Sequence, residues 1–141
     1  MSCVFCEIVA GRAPASVVYD DELVRVFCDI RPLTRGHTLV IPKRHATGLS
    51  DVDGADAARM FAVGRRIAAA ARAALDCPGV NLHLADGAAA WQSVFHVHLH
   101  VIPRWGHKDL LRLARGRRRP GRAELDGVAQ TIAAKLTPPA E

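Results

Sequence analysis

Three of the seven histidines in the chain fall within five residues, at His96, His98 and His100. An aliphatic residue separates each of them from the next. Successive side chains of a β-strand point to opposite faces, so an extended segment would place these imidazoles in one row, about 6.6 Å apart per pair of residues. The opposite face would be apolar and would carry Phe95, Val97, Leu99 and Val101. Packing of that apolar face against a helix would fix the register and present the histidines together.

A row of imidazoles on one face of a strand suits three kinds of surface. It can be a solvated face, although lysine, threonine or glutamate would serve that purpose equally well. It can be a metal site, because neutral imidazoles bind zinc and iron. It can also carry metal-free chemistry on a phosphate, in which one imidazole attacks phosphorus and its neighbours stabilise charge on the oxygens. The residues of this segment alone leave all three open.

The segment QSVFHVHLHVIPR, residues 92–104, resembles the signature of the histidine triad (HIT) family. That signature is His-x-His-x-His-x-x with hydrophobic x, preceded by Gln-Ser/Thr-Val. The opening segment, residues 3–45, is similar to the N-terminal half of the family in its short helix with Phe, its Asp-Ile after the second strand and its Gly-His-x-Leu-Val-Ile-Pro-Lys. Together the two similarities cover most of residues 3–104. They imply a HIT-like fold in the Hint-like branch of bacterial HIT hydrolases.

The resemblance implies a role for three histidines. His98, the middle histidine of the signature, would be the nucleophile. His100 would contact the phosphate and help to position the reacting group. His37, in the segment RGHTLVIP, would lie beside the triad, close to the other ring nitrogen of His98. Such a partner matters because the attacking nitrogen must be unprotonated, and the hydrogen bond at the other nitrogen selects that tautomer.

The resemblance also implies a nucleotide-binding site. The residues that cradle the α-phosphate would be Gln92, Ser93 and Val94. The nucleoside would lie against Ile30 and against Asp29, whose carboxylate would accept hydrogen bonds from both ribose hydroxyls. Three further apolar residues could complete a slot for the sugar or base: Phe5, Ile8 and Val26. Core packing is the alternative for each of them, and for Val26 it is the favoured one.

The reaction implied by the resemblance is a two-step nucleotidyl transfer. His98 would attack the α-phosphorus of a nucleotide conjugate, the leaving group would depart protonated, and water would cleave the nucleotidyl-histidine. The implied substrates are purine nucleoside phosphoramidates and related monophosphate conjugates, and no catalytic metal is expected. Hydrolysis of dinucleoside polyphosphates by the same residues is the alternative enzyme activity. A zinc-stabilised nucleotide-binding or interaction module without turnover is the non-enzyme alternative.

Cys3 and Cys6 form a single C-x-x-C motif near the N-terminus. A structural zinc needs four ligands and the sequence has no second C-x-x-C, so the remaining ligands would have to be histidines. His45 and His96 are the candidates, because some bacterial HIT proteins resemble this arrangement with a structural zinc. Unmetallated thiols are the alternative. A redox C-x-x-C normally opens a helix in a β-α-β context, which this pattern lacks.

Hydrophobic patterning predicts an α+β domain with a mostly antiparallel, five-stranded sheet. The β-rich segments, bounded by turn residues, cover residues 17–19, 23–28, 38–41, 80–84 and 93–102. Apolar and small residues at helical spacing predict a long helix that starts near Asp51 or Asp53 and ends before Pro78. A second helix is predicted after Pro120-Gly121, where apolar residues at 125, 128, 129, 132 and 136 repeat at the same spacing.

The length of 141 residues suits one domain, and we expect a single HIT domain over residues 1–141 with its core at residues 3–104. Half of the residues are hydrophobic, which indicates a globular rather than a disordered chain. The sequence shows no apolar run long enough to span a membrane and no recognisable signal peptide. The cytoplasm is therefore the expected compartment, and four cysteines, too few for a disulfide scaffold, would stay reduced there.

The formal net charge of +5 suits an anionic partner such as a nucleotide. Residues 105–141 are expected to form a basic loop and a C-terminal helix, with positive residues at Lys108, Arg112, Arg115, Arg117, Arg118 and Arg119. A solvated loop, attraction of polyphosphate substrates and weak nucleic-acid binding compete as explanations, and the scarcity of aromatic residues disfavours the last. The resemblance also implies a homodimer whose two sheets join.

Trp91 departs from the family pattern, which commonly has glycine before this glutamine. It lies in the loop that would border the phosphate. Its indole could stack on a base or leaving group, or it could close a dimer surface, and the sequence favours neither.

Overall fold

The structure, a computed structural model, describes residues 2–110 and 116–138. Its central element is one antiparallel sheet. Its five strands are β1 (Val17–Asp20), β2 (Val24–Cys28), β3 (Thr38–Pro42), β4 (Gly79–Leu84) and β5 (Leu99–Arg104). They lie in the order β1-β2-β3-β5-β4, and every neighbouring pair is antiparallel. The predicted α+β architecture with a five-stranded antiparallel sheet is confirmed.

Three α-helices accompany the sheet in the described ranges: α1 (Val4–Val9), α2 (Gly54–Leu75) and α3 (Arg122–Ala133). Asp53 caps α2, because its side chain accepts a hydrogen bond from the Ala55 N–H at 2.9 Å. Asp76 follows in the left-handed conformation and ends the helix. Both predicted helices are confirmed, with Asp53 rather than Asp51 as the cap. None of the helices in these ranges has the length and apolar character needed to cross a membrane.

The two longer helices cover one face of the sheet, with α2 on β3 and β5 and α3 on β1. Strand alternation places Val26 and Cys28 of β2 in the core on this helix-covered face. Phe27 belongs to a second apolar cluster, to which α1 contributes Phe5 and Ile8. Val26 is therefore a core residue, which is the alternative that its sequence context favours. The face of the sheet opposite α2 and α3 carries the candidate site.

The strand that contains the histidine segment starts later than the sequence predicts. Pairing of β5 begins at Leu99, which lies opposite both Val40 of β3 and Leu84 of β4. Because both ladders stop there, the residues at 93–98 have no partner strand to keep them extended, and they form no strand. Of the three histidines in the signature, only His100 occupies a strand position.

The late start of β5 also changes the predicted apolar face. Val97, Leu99 and Val101 are buried, as predicted. Phe95 is 50% exposed, so its predicted place on the buried face is wrong. Val97 is buried although it precedes β5, so the buried face extends beyond the strand but does not reach Phe95.

Candidate active site

The predicted catalytic histidines remain close together despite the irregular backbone before β5. The ring centroids of His98 and His100 are 4.8 Å apart, and those of His100 and His37 are 5.1 Å apart. His37 and His98 are buried, and His100 is half-buried. The structure therefore brings these three residues into one cluster.

The imidazole of His98 has one ring nitrogen committed to the backbone. Its Nδ1 atom lies 2.7 Å from the carbonyl oxygen of His96. A carbonyl can only accept a hydrogen bond, so Nδ1 carries the hydrogen, and the neutral ring has its lone pair on Nε2. Burial lowers the pKa of His98, which favours this neutral form. The Nε2 atom is thus in the state that a nucleophile requires.

His37 and His100 form a hydrogen-bond relay with a fixed direction. The Leu33 N–H donates to His37 Nδ1 at 2.9 Å. Because a backbone N–H can only donate, His37 carries its own hydrogen on Nε2, which donates to His100 Nδ1 at 2.9 Å. Neutral His100 then carries its hydrogen on Nε2 and offers a donor to the site. Burial lowers the pKa of His37 to about 2 and that of His100 to about 3, so both rings are neutral near pH 7.

The position of His37 corrects one expectation from the sequence. His37 does not contact the second ring nitrogen of His98, because the His96 carbonyl occupies that nitrogen. Its partner is His100. The family resemblance placed His37 beside the triad, but which ring it orients depends on the turn between β2 and β3.

The turn before β3 holds His37 in place. The Thr34 hydroxyl donates to the Pro103 carbonyl at 2.6 Å, and the His37 N–H donates to the Thr34 carbonyl at 3.1 Å. Gly36 has a φ of +87°, a region that favours glycine, and a Cβ at this position would collide with the side chain of Leu75. The turn is therefore confined between β5 and α2, and the ring of His37 is confined with it.

Asp29 and Ile30 lie directly after β2, at the edge of the histidine cluster. The Asp29 carboxylate accepts from the Arg31 N–H at 2.8 Å through Oδ1, and its Oδ2 lies 3.6 Å from His37 Nε2. Burial raises the pKa of Asp29, whereas the Arg31 N–H and the Arg117 guanidinium, 3.9 Å from Oδ2, oppose that rise. Ile30 is 58% exposed and offers an apolar surface beside the carboxylate.

Phe5 and Ile8, the two residues of α1 at the predicted nucleoside slot, are both buried. The ring of Phe5 makes edge-on contacts with Phe27, at 5.4 Å between centroids, and with His98, at 5.2 Å. Phe5 therefore packs behind His98, and Ile8 belongs to the same apolar cluster, so neither residue lines an open slot.

The predicted phosphate-binding residues, which lie in the loop before the three histidines, differ from one another in their contacts. Gln92 is buried, and its Oε1 accepts from the Gly87 N–H at 2.8 Å. Its Nε2 donates to the carbonyls of Thr47 at 2.6 Å and Val94 at 3.1 Å, which uses both amide hydrogens. Gln92 therefore supports the loop instead of cradling the phosphate. Ser93 is exposed, and among the described residues neither its N–H nor the Val94 N–H has a hydrogen-bond acceptor, so both remain available to bind.

A second cluster joins α1 to the signature segment through Cys3, Cys6, His45 and His96. The ligand atoms of these residues lie within 4.8 Å of one another. Cys3 Sγ is 3.5 Å and Cys6 Sγ is 3.6 Å from His96 Nδ1, and Cys6 Sγ is 3.3 Å from His45 Nδ1. Zn–S bonds of about 2.3 Å and Zn–N bonds of about 2.0–2.1 Å at a tetrahedral centre give S···N separations of about 3.5 Å. The donor set and its spacing fit a tetrahedral zinc ion.

The hydrogen bonds of His96 show which of its nitrogens can bind a metal. Its Nε2 lies 2.7 Å from the carbonyl oxygen of Pro42, so Nε2 carries the hydrogen and Nδ1 has the lone pair. Nδ1 is also the atom that faces both thiols. Zinc-binding histidines usually make such an outer hydrogen bond to a carbonyl or carboxylate.

Asp29, His37 and His100 form another set of atoms within 4.8 Å of one another that could hold a metal. The Leu33 N–H bond argues against that use, because it keeps the hydrogen on His37 Nε2. That atom is the one that faces the other two residues. The set is therefore better suited to relaying hydrogen bonds than to binding a cation.

His83 joins the histidine cluster from β4 and was missed by the sequence analysis. It lies directly opposite His100 in the β4–β5 ladder, with their ring centroids 5.7 Å apart, and it is exposed. The segment NLHLADG predicts a strand, but only the pairing register shows which of its residues faces His100. No local signal in the sequence supplies that register.

The basic segment reaches the site through Arg117. Its Nη1 atom donates to the Arg31 carbonyl at 3.3 Å, in addition to its approach to Asp29. Arg112 and Arg115 of the predicted basic segment lie outside the described residues. At least one cation of this segment therefore lies beside the carboxylate that is predicted to bind ribose.

A cavity of about 320 Å³ lies behind the histidine cluster, between the turn before β3 and α3. Cys28, His37, Arg117 and Leu125 are among the residues that line it, and His98 is not. This cavity is therefore separate from the predicted nucleophile, and the hydrogen bonds of the histidines define the candidate active site.

Comparison with known proteins gives a consistent result. The HIT domain model matches residues 10–107. An uncharacterized HIT-like protein of Mycobacterium tuberculosis is 50% identical over 125 residues, which are 86% of each chain. Adenylylsulfatase HINT3 of Arabidopsis thaliana is 37% identical over 116 residues, 78% of this chain and 59% of that protein. The crystal structure of a zinc-bound histidine triad family protein from Mycobacterium smegmatis has a TM-score of 0.84 at 50% identity, covering 96% of this chain and 94% of that one.

Proposed function

The chain belongs to the histidine triad family, and from that premise we propose that it is a hydrolase or transferase of nucleotide conjugates. It cleaves the bond between the α-phosphate of a purine nucleoside monophosphate and its leaving group, as a Hint-like phosphoramidase would. The observation that carries this proposal is a complementary pair of tautomers. His98 has a lone pair on Nε2, and the neighbouring His100 has a hydrogen on Nε2.

In the first step, His98 Nε2 attacks the α-phosphorus, so that a P–N bond forms and the bond to the leaving group breaks. The His96 carbonyl stabilises the positive charge that develops on the ring, because it accepts from Nδ1–H. The Nε2–H of His100 donates to a non-bridging oxygen and stabilises its negative charge. The leaving group takes a proton from water as it departs.

In the second step, water attacks the phosphorus of the nucleotidyl-histidine. The P–N bond breaks, the nucleoside monophosphate is released, the proton of water passes to solvent, and His98 returns to its neutral form. A P–N bond to imidazole is readily hydrolysed, so the intermediate does not become a trap. His37 keeps His100 in its donor tautomer throughout, because the Leu33 N–H fixes the hydrogen of His37.

Asp29 and Ile30 bind the nucleoside in this proposal. The carboxylate accepts hydrogen bonds from the ribose hydroxyls, and the exposed side chain of Ile30 rests against the sugar or base. Ser93 donates to the phosphate, while Gln92 holds the loop that presents it. Val94 is half-buried against the apolar cluster of α1 and closes the site from behind.

The choice of conjugate has support from one relative. The name of that relative, adenylylsulfatase, describes an enzyme that acts on AMP joined through phosphate to a leaving group, which is the proposed substrate class. Hydrolysis of dinucleoside polyphosphates by the same residues is the second candidate. A nucleotide-binding module without turnover is the non-enzyme alternative.

The test is a panel of AMP and GMP phosphoramidates, adenylyl sulfate and diadenosine polyphosphates, each assayed with and without brief exposure to a chelator. We expect release of the nucleoside monophosphate in both conditions. Rapid quenching followed by mass spectrometry should then detect a nucleotidyl adduct on His98. Binding without release would identify the non-catalytic module. Turnover that the chelator abolishes, with no adduct at any time, would identify a metal-dependent hydrolase.

We further propose that Cys3, Cys6, His45 and His96 hold a structural Zn²⁺. The zinc-bound relative of Mycobacterium smegmatis and the S···N separations support this assignment. The ion, when bound, would supply a crosslink between α1 and the segment before β5 and no part of the reaction. His96 would bind through Nδ1 while its Nε2–H remains on the Pro42 carbonyl.

We propose a homodimer whose sheets join along β4, which is an edge strand, with α2 presenting Phe61 at 61% exposure. Residues 105–141 belong to the same domain as residues 3–104, which is supported by the packing of α3 on β1 and α2. The four cysteines form no disulfide, which suits the cytoplasm. Light scattering tests the dimer.

A further inference from the structure

His83 lies on the face that carries the candidate site but has no role in the reaction described above. It is exposed and lies opposite His100 in the β4–β5 ladder, with the ring centroids 5.7 Å apart. Residues directly opposite in an antiparallel pair project to the same face of the sheet, so the two imidazoles share one surface.

The tautomer of His100 directs its donor toward the side of His83. His100 Nδ1 faces His37, which directly precedes β3, so Nε2 lies on the part of the ring that faces away from β3. In the sheet, β5 lies between β3 and β4. The hydrogen-bond donor of His100 and the imidazole of His83 therefore border the same part of the site.

The order of the site residues across the sheet predicts the orientation of a bound nucleotide. Asp29 follows β2, His100 lies in β5 and His83 lies in β4, and the strands are ordered β2-β3-β5-β4. A nucleotide with its ribose at Asp29 and its phosphorus at His98 and His100 projects its leaving group toward β4. This step rests on the proposed function, which places the ribose at Asp29.

We propose that His83 is a specificity-determining residue that donates a hydrogen bond to the leaving group, and that it favours leaving groups with anionic oxygens, such as sulfate or phosphate, over uncharged amines. An imidazole offers an N–H donor in both of its protonation states. An anionic oxygen is the stronger acceptor, because hydrogen bonds with one charged partner are shorter and stronger than neutral ones. An amine leaving group offers no such acceptor.

The kinetic test uses two substrates that share AMP and differ in the leaving group, namely adenylyl sulfate and an AMP N-alkyl phosphoramidate. His83→Ala should lower kcat/KM for adenylyl sulfate by about tenfold, as expected for loss of a hydrogen bond to a charged group, and should change it for the phosphoramidate by less than about twofold. His83→Gln retains a donor and should recover part of the loss. His107→Ala, which removes another exposed histidine outside the cluster, is the matched control. Equal losses on both substrates, or no loss on either, would overturn the proposal.

A binding measurement separates this inference from the proposed function. In a His98→Asn variant, the ring signals of His83 are followed by ¹⁵N NMR while adenylyl sulfate or AMP is added. We expect the signals to shift with adenylyl sulfate and to stay in place with AMP, which lacks the leaving group. A shift with both ligands or with neither contradicts the role of His83. Absence of turnover by the unmodified protein on every conjugate instead contradicts the proposed function, while the NMR result still decides the inference.

Discussion

The Nδ1 atom of His98 donates to the carbonyl oxygen of His96 at 2.7 Å, and the ring of His96 belongs to the cysteine–histidine cluster. A single residue thus connects the proposed zinc site with the tautomer of the proposed nucleophile. Because the connection passes through the backbone of His96, a displacement of its ring also moves the carbonyl on which His98 depends. The two sites should respond together when either is disturbed.

Replacement of the proposed nucleophile should abolish turnover without unfolding the chain. We expect His98→Ala to lower kcat by about 10³-fold or more, since the variant lacks the imidazole that forms the P–N bond in the proposed reaction. Release of AMP from a phosphoramidate, measured by chromatography, gives the rate, and circular dichroism confirms the fold. A variant that folds and retains the unmodified rate would remove His98 from the mechanism.

His37 and His100 should act as one unit in catalysis. His37→Ala leaves His100 without the donor that selects its tautomer, so we expect each single variant to lower kcat by about 10²-fold. The double variant should be little worse than either single one, because the second change removes a contribution that is already lost. The measurement is a double-mutant cycle in kcat. Fully additive effects would show that His37 acts independently of His100.

Loss of a zinc ligand should reduce both stability and turnover. Cys6→Ala removes one thiolate of the cluster, and we expect the Tm to fall by at least about 5 °C, because binding of a structural metal contributes directly to folding. The displaced His96 should also lower kcat through its carbonyl. Cys77→Ala, which removes a thiol outside the cluster, is the control. Substoichiometric zinc in protein purified without chelator, or equal Tm values for the two variants, would contradict the assignment.

Acid should destabilise the fold through the buried relay. In the folded chain the pKa of His37 is lowered from 6.5 to about 2 and that of His100 to about 3. Below pH 6.5 the unfolded chain binds protons that the folded chain does not. The two histidines therefore leave the free energy of unfolding undiminished above pH 6.5 and reduce it as the pH falls below that value. Each histidine should contribute a slope of about 1.4 kcal/mol per pH unit.

Urea denaturation at a series of pH values measures this acid sensitivity. His37→Gln carries no titrating ring, and its free energy of unfolding should therefore depend less steeply on pH below 6.5 than that of the unmodified protein. Identical slopes for the two proteins would show that His37 is protonated in the folded chain.

Trp91 adopts a backbone conformation that suits glycine. Its φ is +71°, which costs a residue with a Cβ about 1–2 kcal/mol, and its side chain is 87% exposed. We expect Trp91→Gly to leave the free energy of unfolding unchanged or to raise it by up to about 1 kcal/mol, because the greater freedom of glycine in the unfolded chain offsets part of the relief. Trp91→Ala retains the strain and should not stabilise. A clear loss of stability with glycine would indicate that the indole is packed, for example in a dimer.

Much of the fold could be predicted because its signals are local. The spacing of small and apolar residues located α2, and Asp53 was one of two candidate caps. The strands predicted over 17–19, 23–28, 38–41 and 80–84 agree with the observed strands to within one residue at each end. Proximity of the Cys3-x-x-Cys6 motif to two histidines was also anticipated, because the family resemblance supplied it.

The errors concern relationships that only tertiary pairing determines. The start of β5 depends on where two other strands stop, and the partner of His37 depends on a turn held by Pro103 and Leu75. His83 joins the site only through the register of β4 with β5. Gln92 matched a phosphate-binding position, but its side-chain amide bonds two backbone groups of its own loop, at Gly87 and Val94, and the carbonyl of Thr47 before α2.

Backbone atoms decide which nitrogen bears the hydrogen in His37, His96 and His98. Main-chain partners survive most side-chain replacements, so these proton positions are inherited with the fold itself. Ile30 and His83 lie outside that constraint, since both are exposed at the rim. Related proteins can therefore differ in these exposed residues, and so in the conjugates they accept, while the reaction at phosphorus stays the same.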